Sequence, residues 1–101
     1  MQDDPDQLNV LRAINNKPKS TQREIASELG FSLGKLNYVL KALKNKGHIK
    51  VKNFRNNKNK LNYLYVLTPQ GISAKTKLTL NFMKLKIREY DELQKELKGN
   101  K

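Results

Sequence analysis

Apolar positions recur at three- and four-residue steps in three places along the chain. They alternate with polar ones in a fourth, then return to the helical step in a long final run. From about Asp6 to Asn15, Leu8, Leu11 and Ile14 make one stripe, and Asp6 is suited to cap that helix. Asn16 to Ser20, with Pro18, interrupts the pattern and reads as a linker. Thr21 and Glu24 have the spacing of a capping box, in which hydroxyl and carboxylate each satisfy a backbone N–H that the helix leaves open. Ile25, Ala26 and Leu29 then share a face until Gly30, a residue at ease in left-handed backbone, ends the helix. Ser32 caps the next one, whose apolar positions Leu33, Leu36, Leu40 and Leu43 run up to Gly47.

Past Gly47 the period falls to two. Ile49, Val51 and, after a slip in phase, Phe54 read as a strand; Leu61, Tyr63, Tyr65 and Leu67 read as its partner. The loop between them, Arg55 to Lys60, holds three cations and three asparagines, and asparagine lets a tip turn without glycine. Thr68 caps a last helix with Pro69 at its first position, and nothing breaks it before Gly99. At roughly 1.5 Å per residue it reaches about 45 Å, too long to fold back on so small a domain. Leu80, Met83, Ile87, Tyr90, Gln94 and Leu97 alternate three- and four-residue steps along it, with Leu78, Phe82, Leu85 and Leu93 widening the apolar surface. A monomer would expose that surface to water, so Leu80, Met83, Ile87, Tyr90 and Leu97 are expected to pair with the same helix of a second copy.

The pattern predicts a mainly α fold with a small β-hairpin. A winged helix-turn-helix unit spans residues 1–68, and a dimerisation helix, coiled-coil-like, spans residues 69–101. Charge sharpens the picture. The 101 residues carry a net +12, which points to a polyanionic partner. Residues 1–15 hold Asp3, Asp4 and Asp6 against Arg12, whereas residues 16–68 hold twelve Lys or Arg against only Glu24 and Glu28. The basic excess thus lies on the two short helices and the hairpin, where release of counterions from nucleic acid supplies affinity. Acidic residues mixed among the lysines of the final helix argue against an anionic membrane as the partner.

Other chemistries find little support. Without cysteine there is no disulfide, thiolate zinc site or thiol nucleophile. The lone histidine, His48, has no neighbouring carboxylate cluster and reads as a helix-end residue beside the last carbonyls, so no metal or cofactor is expected. No glycine-rich phosphate loop or nucleophile motif is present, and no enzyme is expected. An acidic, polar N-terminus is unlike a signal peptide, and no apolar run approaches the roughly 20 residues that span a bilayer; a soluble protein is expected.

The runs SLGKLNYVLKALKNKGHIKVKNF, NKNKLNYLYVLTPQGI and LNFMKLKIREYDEL resemble the MarR-type winged-helix regulators, and most closely the short MarR-like family associated with bacterial exopolysaccharide biosynthesis loci. The resemblance implies a cytoplasmic transcriptional regulator that binds duplex DNA as a homodimer. Larger MarR proteins have more helical material at the N-terminus, which helps build their interface and a ligand pocket. An effector is therefore not carried over. On the reading helix Lys35, Asn37, Tyr38 and Lys41 are expected to face the groove, with Thr21, Gln22, Arg23 and Ser32 at helix N-termini that favour phosphate. Arg55, Lys58 and Lys60 would set the wing on the backbone or in the minor groove, with Asn57 as a base contact. The alternatives are a protein-interaction adaptor on the same scaffold and a non-specific nucleic-acid binder, although tyrosines at core-like strand spacing do not suit stacking platforms.

Overall fold

The computed structural model describes residues 5–55 and 61–99. Its elements are α1 (Pro5–Asn16), α2 (Gln22–Leu29), α3 (Leu33–Asn45), β1 (Ile49–Arg55), β2 (Leu61–Leu67) and α4 (Pro69–Gly99). Asp6 does not cap α1 as expected; it lies inside the first turn, because Pro5 already occupies a helical position suited to its fixed φ. There the carboxylate still complements the positive end of the helix.

Both ends of α2 are closed by local hydrogen bonds. Thr21 Oγ1 accepts the Glu24 N–H at 3.2 Å, and Glu24 Oε1 accepts the Thr21 N–H at 2.7 Å. That bond from the Thr21 backbone, helped by the Thr21 hydroxyl, draws the Glu24 carboxyl below the usual carboxylate range. Gly30 sits at φ 70°, letting the Phe31 N–H reach back to Ala26 O at 2.9 Å. Replacing Thr21 with alanine opens the box and is expected to lower stability by about 1 kcal/mol, read from denaturant midpoints at constant slope.

Beneath these helices lies one core. Leu11, Ile14, Leu36, Leu43 and Val10 are the largest fully buried side chains, joined by Val39, Leu40, Ile25 and Ile49. Leu33, expected to share the α3 stripe, is instead 43% exposed, and Val39 takes the inward place. As the first residue of α3, Leu33 begins the helix beyond the edge of the packed face.

The two strands pair antiparallel without interruption, from Ile49 opposite Leu67 to Arg55 opposite Leu61. The expected slip in phase is absent. Phe54 pairs with Asn62 and so falls out of step with Ile49 and Val51, since a slip would require an extra bulged residue that this register does not contain.

α4 is tied to the domain at a junction formed by Gly47, His48, Thr68 and Gly71. Gly47, at φ 78°, ends α3 and lets the His48 N–H meet Leu43 O at 2.9 Å. His48 O then accepts the Thr68 N–H at 3.0 Å, and Thr68 Oγ1 donates to Gly47 O at 2.5 Å. The same hydroxyl accepts the Gly71 N–H at 3.0 Å, capping α4 as the threonine-proline pair implied. Gly71 is the buried residue of α4, while Leu78 packs against the core from further along. Beyond it the helix leaves the domain, and the molecule extends 67 × 25 × 20 Å.

His48 does not bond the last carbonyls through its ring. Its Nδ1 is buried and meets no partner among the described residues. Burial, and to a smaller degree the Lys46 charge, push its pKa below the ordinary 6.5. The sign of the resulting pH effect follows from linkage: the unfolded imidazole takes up a proton below 6.5 while the folded one resists, so stability falls as pH drops through that range. Thermal unfolding from about pH 7 to about pH 5 should show a steeper loss in the native chain than in His48→Asn.

Candidate nucleic-acid interface

α3 buries Leu36, Val39, Leu40 and Leu43, and at roughly 100° per residue the opposite side is centred on Gly34, Tyr38, Lys41 and Asn45. Tyr38 is 78% exposed, and Lys41 is exposed beside it. Nothing in the domain covers this strip among the described residues. Its centre is a phenol with a free edge and an ammonium on a flexible stem.

Lys35 and Asn37, expected at the centre, stand on its two flanks. Lys35 leans toward α1, where its Nζ lies 3.3 Å from Asp6 Oδ2 and 4.3 Å from the Phe31 ring centroid. Asn37 leans toward α2, and its Oδ1 accepts a hydrogen bond from Gln22 Nε2. The Gln22 Oε1 in turn accepts from Tyr65 Oη over a long 3.5 Å. Gln22, expected at a phosphate, therefore bridges α3 to the hairpin. Both flanking residues remain exposed, so neither is lost to the interior.

The hydroxyls of Thr21 and Ser32 are engaged in capping, Ser32 Oγ accepting the Lys35 N–H at 3.0 Å. Arg23 is exposed on the first turn of α2. The Arg55 side chain, Asn57, Lys58 and Lys60 lie outside the described residues, so their expected roles gain no geometry. Lys50 and Lys52 are two exposed cations that the candidate set omitted. Strict alternation from Ile49 and Val51 was the signal that would have found them. Among the described residues, no group of three or more His, Cys, Asp or Glu side chains could hold a metal ion, and no helix is long and apolar enough to cross a membrane.

A helix with a bare basic face, preceded by a capped helix and followed by an antiparallel hairpin, defines the winged helix-turn-helix class. Residues 4–50 match the family model described as winged helix-turn-helix DNA-binding. Solved structures that resemble the chain include MarR-family and PadR-like transcriptional regulators. The PcaV transcriptional regulator from Streptomyces coelicolor, solved with its natural ligand, aligns with TM-score 0.70 and 17% identity over 96% of this chain and 75% of that one. Staphylococcus aureus MarR, solved with salicylate and kanamycin, gives 0.67 and 24% identity over 92% of this chain and 65% of that one. A PadR-like transcriptional regulator from Bacillus cereus gives 0.78 and 14% identity over 87% and 90%. The chain thus spans about two thirds of the length of the Staphylococcus regulator. No curated protein sequence matches it.

Proposed function

We propose that the chain is a transcriptional regulator of the MarR-like kind that binds duplex DNA as a homodimer and performs no catalysis. On the residues quoted above, it belongs with the short branch associated with exopolysaccharide loci. The observation that carries this reading is the uncovered strip of α3 around Tyr38 and Lys41, on a chain of net charge +12. In this reading α3 enters the major groove. Lys41 and Lys35 donate to guanine edges or phosphate, and Tyr38 meets a thymine methyl. Asn37 pairs an adenine edge. Arg23 and the N-termini of α2 and α3 lie along the backbone, where free N–H groups suit phosphate. Arg55, Lys58 and Lys60 fix the wing on the backbone or in the minor groove, with Asn57 at a base edge. Residues 1–68 act as the reading unit, and α4 joins two copies in the cytoplasm through Leu80, Met83, Ile87, Tyr90 and Leu97.

Selection of bound duplexes from a random pool tests this. The expected result is a pseudo-palindrome with half-sites about one helical turn apart. Retention of all duplexes alike, with a steep salt slope, would make the chain a non-specific binder. Failure to retain any duplex at low salt would leave the adaptor reading.

A further inference from the structure

α4 has two apolar sides. Gly71 and Leu78 mark the side against the domain; at roughly 100° per residue, the row through Leu80, Met83, Ile87, Tyr90 and Leu97 runs on nearly the opposite side. The second row is exposed even where the helix is still beside its own domain, with Leu80 52% and Met83 53% exposed. Its charges are sorted along the helix. From Lys75 to Arg88 there are five cations and no acid; from Glu89 to Lys98 there are four acids and two cations.

We infer that the second copy lies antiparallel on this row, with the twofold axis level with Leu85. The inference rests on the homodimer reading and adds its orientation. In that register Leu80 meets the partner's Tyr90, and Met83 meets the partner's Ile87. Thr76 meets the partner's Gln94, so apolar layers face apolar ones and the polar residues share a layer at each end. Gln94 is already steadied there, its Nε2 donating to Tyr90 Oη at 2.8 Å. On the flanks, Glu96 comes near the partner's Lys75, and Asp91 near the partner's Lys77. A parallel pairing instead sets the five cations of one copy against the five of the other, and like charges at close range are unfavourable. The apolar row supplies adhesion; the outer charges decide direction, since Lys84 and Lys86, next to the axis, lie level with the partner's lysines in either orientation. Antiparallel pairing also separates the two reading units. The points near Ala74 lie roughly 33 Å apart along the pair at about 1.5 Å per residue, close to the roughly 34 Å repeat of duplex DNA.

Because the chain has no cysteine, the register can be tested by directed disulfides in the full-length protein. Thr76→Cys and Gln94→Cys lie outside the reading surface. They are roughly 27 Å apart along one helix, far beyond the roughly 7 Å limit between Cα atoms for a bridge. Under mild oxidation the antiparallel pair predicts at least about fivefold more covalent dimer in an equimolar mixture than in either variant alone. A strong covalent dimer of Thr76→Cys alone overturns this orientation and leaves the homodimer standing. A chain that sediments as a monomer at tens of micromolar overturns both, while the duplex-selection result stands or falls separately.

Discussion

Gly71→Ala is expected to lose about 2 to 3 kcal/mol of stability, the overpacking cost of a methyl group with nowhere to go. A Cβ at residue 71 would lie 1.9 Å from His48 O and 2.8 Å from His48 C, both backbone atoms. No rotamer change can relieve that contact. Either α4 tilts away, stretching the Thr68 N–H to His48 O bond of 3.0 Å, or the α3–β1 turn shifts and strains Gly47. For a domain of this size the loss corresponds to roughly 10 to 20 °C in Tm, followed by circular dichroism at 222 nm. A drop below about 0.5 kcal/mol would mean that α4 is not seated on the His48 carbonyl.

Tyr38→Ala and Lys41→Ala are each expected to cost about 1 to 3 kcal/mol in binding to the selected duplex, with preference relaxed at a single base position. Their side chains form the centre of the strip left open by the domain, so nothing in the domain would have to move for either to meet a duplex. Lys35→Ala is expected to cost less than either, because its ammonium already has a partner in Asp6 at 3.3 Å and releasing it offsets part of any gain on DNA. Fluorescence anisotropy on a panel of single-base variants of the duplex separates the cases. Equal losses on every variant would make Tyr38 and Lys41 backbone contacts. A larger loss for Lys35 than for Lys41 would move the centre of the strip toward α1.

The helices were legible in the sequence because their signals are local. Thr21 with Glu24, Gly30, Ser32, Gly47 and the Thr68–Pro69 pair each act within a few residues, and each ends or begins an element where read. What the sequence concealed depends on contacts between distant residues. Nothing near Asn37 in the chain indicates that Gln22, fifteen positions earlier, holds its carbonyl oxygen. Likewise Lys35 looks as free as Lys41 until α1 brings Asp6 beside it. The period of α3 admitted Leu33 as readily as Val39, and only the edge of the packed face separates them. In the hairpin, Phe54 suggested a slip in phase, but the strands pair without interruption from Ile49 opposite Leu67 to Arg55 opposite Leu61.

The extension of α4 past the domain also governs how the molecule moves through solvent. Its Cα radius of gyration is 17.3 Å, whereas a compact chain of about 100 residues has about 13 Å. Drag grows with length, so a single copy elutes early from a sizing column and rotates slowly about its short axes. Light scattering reads mass without regard to outline, and is the measurement by which one rod is distinguished from two.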